Sequence, residues 1–334
     1  MQDAVLYVSQ PGARLTRTGE RLIVRAIDGK IVSDVPMFRL DQVICFGTVE
    51  PSGSALLALS RRGIDLVFLS QDGRFKARIA PSRPRAVQCR VKQYQRSLDP
   101  EFRLTMARTL VGGKLNLSRV WLLRQNRNRD SRLTSQILGI SGCIDSLREA
   151  CSVDQLMGIE GTAARYHFEA LKLILKQDLG FNGRVRRPPK DPVNALLSFG
   201  YTLLFNRVVS AVEQVGLDPM ISNLHGLEDR RPSLALDLME EFRTLIVDSV
   251  VVGLINRMEI CATDFDDLGE KGVQMKERTL ARFVKAFQDR LNDTMPHPRE
   301  DRSFTLRDLI VQQAYQYKSV ILGEASEYQP MTTR

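Results

Sequence analysis

The chain has 334 residues, enough for roughly two domains and a large core, and its 43% hydrophobic and 26% charged residues are ordinary for a soluble globular protein. Lys and Arg number 48 against 39 Asp and Glu, giving a formal +9 and a pI near 9.5, which favours a polyanion as partner, nucleic acid before an anionic membrane surface. No run of about 18 apolar residues suggests a membrane span, and the opening MQDAVLYVSQPG lacks the basic n-region and cleavage site of a signal peptide.

Residues 1 to about 80 are β-like. Short Val/Ile/Leu runs at 5–9, 21–26, 30–35, 42–46, 65–69 and 74–79 are broken by Pro11-Gly12, Asp28-Gly29, Pro51-Ser52-Gly53 and Asp72-Gly73. Turn chemistry at that pitch predicts a small sandwich-like β domain over 1–82. One helix interrupts it at about 54–61, with Gly63 as its C-cap. A basic linker or first helix follows over 83–99, where Arg83, Arg85, Arg90, Lys92 and Arg96 stand without an acid between them. From there to the end, 100–334, the periodicity is helical, so the chain is α+β with a larger all-helical C-terminal domain.

Within that domain one helix is predicted from about Pro100 and another from near Gly113. The second carries Lys114, Arg119, Arg124, Arg127, Arg129 and Arg132 against Asp130 alone. Ser152 to Gln155 reads as a capping box opening a helix to about Lys176. Asp191 as N-cap and Pro192 at the first helical position open the next, which ends at Gly216. A helix is predicted from Ser233 to about Met258, a short hairpin over 264–275, a helix over 276–291, a loop over 293–302 and a last helix over 305–323. The polar tail after it is expected to be loose. The five cysteines, Cys45, Cys89, Cys143, Cys151 and Cys261, form no CxxC pair and suit a reducing cytoplasm.

The most informative stretch is LHGLEDRRPSLALDLMEEFR, from Leu224 to Arg243. Leu234, Leu238, Met239, Phe242, Leu245 and Ile246 recur at helical spacing and make an apolar face. Ser233, Asp237, Glu240, Glu241, Thr244 and Asp248 fall on another. Asp237 lies three and four residues before Glu240 and Glu241, so the three carboxylates are expected to crowd one patch. A divalent cation with oxygen ligands and an imidazole would relieve that crowding, and His225 is the histidine of choice. A solvated acidic stripe on an amphipathic helix is the commoner alternative. Glu160, in GIEG, is either a ligand or an ordinary surface glutamate, and the fragment alone favours the second. His167, two turns on, is either its metal-binding companion or, more commonly, a satisfied helix histidine. His297 is expected to be simply exposed.

Four cations without an acid, Arg184, Arg186, Arg187 and Lys190, surround Pro188-Pro189 and suit a phosphate-binding rim or a solvated loop equally. With the Arg83–Arg96 and Lys114–Arg132 clusters they raise the odds of a nucleic-acid surface. Aromatics are only 7%, with one Trp, so duplex backbone contact fits better than base stacking. No P-loop, GxGxxG, HExxH or GxSxG stands in a usable context, which argues against nucleotide-driven motors, dehydrogenases, zincins and esterases.

Five segments in this order, LYVSQPGARL, VICFGTVEPSGSALLALSRRGIDLVFLSQDGRF, GIEGTAARYHFEAL, RRPPKDPVNALLSFGYTLL and LHGLEDRRPSLALDLMEEFR, give the chain a resemblance to the CRISPR-associated integrase, the DNA-joining protein of spacer acquisition. The resemblance covers nearly the whole length. It implies an N-terminal β domain that dimerises and a helical domain with a Mg²⁺ or Mn²⁺ site of a glutamate, a histidine and an acid. These match Glu160, His225 and the acids of DLMEE, with Glu240 as ligand and Asp237 as a further catalytic or supporting acid. Glu241 is left with an outward or structural role. The histidine run reads NLHG where many relatives have GFLH-like residues. The implied activity is hydrolase-class phosphodiester chemistry, a transesterification joining 3′-hydroxyl ends of short duplex DNA into the repeat array. The implied partners are duplex DNA, a second copy and a small dimeric protein bridging two integrase dimers, in a prokaryotic cytoplasm without a membrane. Arg83, Arg85, Lys114, Arg119, Arg184, Arg186, Arg187 and Lys190 are the expected DNA contacts. A nuclease that cuts branched DNA without joining it, or a non-catalytic DNA-binding scaffold, would share much of this sequence pattern.

Overall fold

The computed structural model describes residues 4–71, 73–81, 86–127, 132–226, 231–296 and 302–332. The chain divides into two compact units, Met1–Pro84 with Leu280–Val284, and Arg85–Thr279 with Lys285–Arg334. A β-rich N-terminal region followed by a helical one is the predicted α+β class.

In the first unit the strands are β1 (Ala4–Val8), β2 (Ala13–Thr18), β3 (Arg21–Arg25), β4 (Ile31–Pro36), β5 (Leu40–Phe46) and β6 (Val49–Pro51). Helix α1 (Gly53–Arg61), β7 (Asp65–Leu69) and β8 (Phe75–Ile79) follow. They form two four-stranded sheets, ordered β1-β5-β7-β8 and β4-β3-β2-β6. In the first sheet β1, β5 and β7 run parallel and β8 is antiparallel. In the second, β2, β3 and β4 are a meander and β6 lies parallel to β2. Leu15, Leu22 and Val24 of one sheet share a core with Val43, Cys45 and Leu66 of the other and with Ala55, Ala58 and Leu59 of α1. Burial pushes the Cys45 thiol up to about 12, so it packs as a small hydrophobe. Strands β2 and β6 escape prediction. ARLTRT has only two buried apolar residues among polar ones, and VEP is too short to show a period.

The second unit begins with α2 (Val87–Leu98) and α3 (Pro100–Asn126). Asp99 caps α3 by accepting from the N–H groups of Glu101 and Phe102 at 3.1 and 3.2 Å. The helix then runs unbroken through Gly112-Gly113, where two helices were expected. The glycine serves packing rather than termination, because a Cβ at Gly113 would stand 2.3 Å from Cβ of Pro330. Helix α4 (Thr134–Ser146) is an addition to the prediction. Helix α5 (Val153–Ile174) starts on Ser152, which accepts from Gln155 N at 3.2 Å, while Gln155 returns its oxygen to Cys151 N at 2.7 Å rather than to Ser152. Asp191 caps α6 (Pro192–Gln214) as expected. By length and composition α6 could cross a membrane, but 78% of its apolar window is buried inside the protein, as in a core helix.

The predicted helix from Ser233 is three pieces: α7 (Ser233–Phe242), a π-helical segment (Arg243–Asp248) and α8 (Ser249–Asn256). One extra residue per turn shifts the faces of the helix after Phe242. The predicted hairpin is β9 (Phe265–Asp267) against β10 (Val273–Met275). Helix α9 (Glu277–Asn292) follows, and the stretch expected to be a loop over 293–302 instead contains a strand, β11 (Thr294–Pro296), which pairs with β12 (Ser303–Thr305). His297 lies outside the described residues. Helix α10 (Leu306–Leu322) closes on Gly323 at φ +80°, a left-handed cap suited to glycine. The tail expected to be loose is packed: Tyr328 and Met331 are buried.

Candidate active site

Three elements of the helical unit bring charge to one place. Lys114 of α3 pairs with Glu160 of α5, and its Nζ also lies 2.6 Å from Oε2 of Glu240 on α7. Arg243, the first π-segment residue, reaches the other oxygen, Oε1, at 2.9 Å. Burial pulls the Glu240 carboxyl up, but Arg243 and then Lys114 outweigh it and hold it at about 2. Glu240 is thus a buried anion at neutral pH, and its side chain is only 4% exposed against 24% for Glu160.

Asp237, also fully buried, faces the loop before α7. Its Oδ2 accepts from Ser222 Oγ at 2.9 Å and from the N–H groups of Asn223 and Leu224 at 3.1 Å each. Its Oδ1 accepts from His225 N at 3.2 Å and from His225 Nδ1 at 2.7 Å. A carboxylate accepting at Nδ1 directs the Nδ1–H toward Asp237 and leaves Nε2 as the nitrogen free to face a metal, the arrangement of a metal-binding histidine. Glu241 turns a third way, accepting from Gln313 Nε2, Tyr328 Oη and Met331 N. The three carboxylates therefore neither crowd one patch nor form a solvated stripe, because a buried helix sends consecutive acids to different partners.

Beside Glu160 and Lys114 lies a cavity of about 340 Å³, lined also by His167, Arg184, Arg186, Arg187, Tyr201 and Arg243. The Tyr201 ring packs against two guanidiniums, Arg184 at 5.5 Å and Arg243 at 4.9 Å, and its hydroxyl donates to Asp248 Oδ1 at 2.6 Å. His167 meets Ser118 Oγ through Nδ1 at 2.7 Å and Asp248 Oδ2 through Nε2 at 2.9 Å. Both ring nitrogens are engaged, so His167 is a satisfied helix histidine and not a companion ligand to Glu160.

The donor chemistry suits a divalent cation. Two carboxylates from separate helices already converge on one cationic atom, Lys114 Nζ, and His225 is oriented through Nδ1 by Asp237, with Nε2 turned from that contact. The side chains do not form a finished cage: among the described residues no three His, Cys, Asp or Glu groups stand close enough to hold a metal.

The model of the family described as CRISPR associated protein Cas1 matches residues 6–289. The chain belongs to the Cas1 family. A CRISPR-associated endonuclease Cas1 from Thermus thermophilus is 32% identical over 331 residues, covering 99% of this chain and 97% of that one. The solved structure of a Cas1 protein from Thermotoga maritima superposes with a TM-score of 0.84 at 26% identity, covering 99% of this chain and 100% of that one. A chain from a partial Cas6-RT-Cas1–Cas2 complex matches with a TM-score of 0.68 at 25% identity, with 100% of both chains covered.

The basic residues of this Cas1 chain differ in their surroundings. Arg83 and Arg85 lie outside the described residues. Lys114 sits within the acidic site, and Arg119 is half-buried on α3. Arg186 and Arg187 are exposed and line the cavity, while Lys190 is exposed with its Nζ donating to Glu270 O at 3.3 Å. Arg184 is pinned by Asn194 Oδ1 at 2.9 Å and Ser198 Oγ at 3.1 Å, and burial lowers its pKa. Asn194 holds the basic loop at its two ends. It accepts also from Val185 N at 2.9 Å and donates to Gly183 O at 2.8 Å and Asp191 Oδ2 at 2.6 Å. Asn194→Leu is expected to cost about 2–3 kcal/mol of stability by leaving these groups unpaired, and to flatten the salt dependence of duplex DNA binding, measured by urea melts and salt titrations. An unchanged salt slope would show that the loop does not touch phosphate.

Tyr201, Arg243 and Asp248 are site residues that sequence reasoning missed in their roles. Arg243 was readable as an i,i+3 partner of Glu240. Tyr201 sits in an apolar helix with nothing in its neighbourhood to mark it.

Proposed function

We propose that this Cas1 protein joins the 3′-hydroxyl ends of short duplex DNA into a repeat array by metal-dependent transesterification, with Glu160, His225 and Glu240 holding Mg²⁺ or Mn²⁺. The observation that carries this is the convergence of Glu160 and Glu240 on a single cationic atom beside an arginine-lined cavity. The ion would lower the pKa of the attacking hydroxyl and neutralise charge developing on the phosphate. The protein's own residues do the rest. Asp237 orients His225 through Nδ1. Arg243 keeps Glu240 ionised and in place. The ammonium of Lys114, released from its carboxylates, is a cation within reach of the same phosphate, and Arg184, Arg186 and Arg187 hold the backbone in the cavity. Energy is conserved in the exchanged phosphodiester, so the absence of a nucleotide-binding motif from the sequence is consistent with the reaction. Contacts of this kind read little sequence, so specificity comes from DNA shape and from partner proteins.

On the same reading the β-rich unit supplies a homodimer contact, and the partner is a small dimeric protein of the Cas2 kind, as the name of the matched Cas1–Cas2 assembly suggests. The chain works in a prokaryotic cytoplasm. The decisive assay offers a leader–repeat plasmid and labelled duplex ends, with partner added or omitted, in Mn²⁺ or in chelator. Branched joined products that need the ion are expected. Cleaved ends with no joined species would make the protein a branched-DNA nuclease, and chelator-insensitive binding without any product would make it a scaffold.

A further inference from the structure

The chain after α10 returns to the back of the site. Met331 N donates to Glu241 Oε2 at 2.7 Å, and Tyr328 Oη donates to Glu241 Oε1 at 2.5 Å. Gln313 of α10 ties the two together, its Nε2 lying 2.9 Å from both Glu241 Oε2 and Tyr328 Oη. Pro330 fills the groove opened by Gly113, so closely that a methyl group there would collide with it. Tyr328 also packs edge-on against Tyr317, with centroids 6.0 Å apart, and the Tyr317 hydroxyl accepts from Asn223 Nδ2.

Each of these contacts falls one or two residues from a site group. Gly113 precedes Lys114, Glu241 follows Glu240, and Asn223 stands two residues before His225 while its own N–H binds Asp237. The histidine loop leads directly into α7, but α3 lies about a hundred residues before both in the chain. A single segment that touches the backs of α3 and α7 directly, and the histidine loop through Tyr317, fixes their spacing.

We propose that residues 328–331 are a strap that positions the metal-binding groups of this Cas1 protein, an inference that rests on the site reading above. Its members are positioning residues, since none reaches the cavity. The strap acts as a wedge between α3 and α7 on one side and as a link to the histidine loop on the other. Its removal leaves every proposed ligand present but frees the distances among them.

The test ends the chain after Glu327 and adds back a synthetic peptide of residues 324–334. Mn²⁺ binding is measured by calorimetry, folding by circular dichroism and joining by the plasmid assay. The shortened protein is expected to keep its helix content, bind Mn²⁺ about ten-fold or more weakly, as when groups behind metal ligands are lost, and recover with the peptide. Shortened protein with Mn²⁺ affinity and joining within about two-fold of wild type would overturn the strap. So would a peptide that restores melting temperature but leaves Mn²⁺ affinity low. If the shortened chain does not fold, Gly113→Ala decides, because alanine favours the helix while its methyl displaces Pro330. Weakened Mn²⁺ binding in that folded variant supports the strap, and unchanged binding overturns it. Wild-type protein that takes up no Mn²⁺ overturns the site reading itself, an outcome distinct from variants that match a metal-binding wild type.

Discussion

On the proposed site, Glu160→Ala and Glu240→Ala are each expected to lower metal-dependent strand joining by about 1000-fold or more, because losing one of the proposed ligands would forfeit several kcal/mol of charge stabilisation. Their effects on stability are expected to differ, and the difference is the sharper test of the geometry. Without Glu160, Lys114 still has Glu240 at 2.6 Å, so stability should change by no more than about 1 kcal/mol. Without Glu240, Arg243 and Lys114 both lose a buried counter-charge. Lys114 keeps Glu160, but Arg243 is left without its carboxylate partner, which should cost about 3 kcal/mol, discounted from the fully buried case because its side chain keeps some access to water. Urea melts in chelator isolate this term from metal binding. Equal melts for the two variants would mean that Glu240 is not the anchor of the cationic pair, and wild-type joining by either would remove that residue from the site.

Much of this was legible in the sequence because local chemistry dictates it. Asp191 before Pro192, Ser152 before a helix and the Asp-Gly and Pro-Gly turns all act within four residues. The two acids of DLMEE and the preceding histidine could be named, but not their directions. Asp237 and Glu240 are three apart, yet one faces the loop at 222–225 and the other faces Lys114. Only the packing of α7 on its neighbours decides that. Gly113 shows the same limit. A glycine within an apolar helix signals a break or a close approach, and the approaching residue, Pro330, stands more than two hundred positions away in a tail that composition marks as polar. The π-helical turn at Arg243 has no local signature at all, and in the fold that segment packs against both α3 and α6. The carboxylate–imidazole link between Asp237 and His225 is likewise a fact of loop closure, with their types and proximity in sequence giving only its possibility.

Glu241→Gln should separate structural from catalytic acids by pH. Burial raises the Glu241 carboxyl from 4.5 to about 7, against the pull of hydrogen bonds from Met331, Tyr328 and Gln313. An acid with a raised folded pKa binds more protons in the folded than in the unfolded chain between those values. Its contribution to stability is therefore full below about pH 4.5 and is lost as pH climbs toward 7 and beyond, by on the order of 3 kcal/mol. Glu240 works the other way, its stabilisation being present above 4.5 and lost as pH falls toward about 2. A glutamine at 241 cannot ionise. Its oxygen can accept from Met331 N, and its amide can donate to Tyr328 once that hydroxyl turns, so the contacts survive in neutral form. In chelator, the variant and wild type should melt alike near pH 5 and diverge as pH rises, with the glutamine form the more stable by about 2 kcal/mol at pH 8. Parallel melting curves from pH 5 to 8 would show that Glu241 is ionised throughout. Its three donors would then be stabilising an anion, so that glutamine weakens the docked tail at every pH instead of relieving it at high pH.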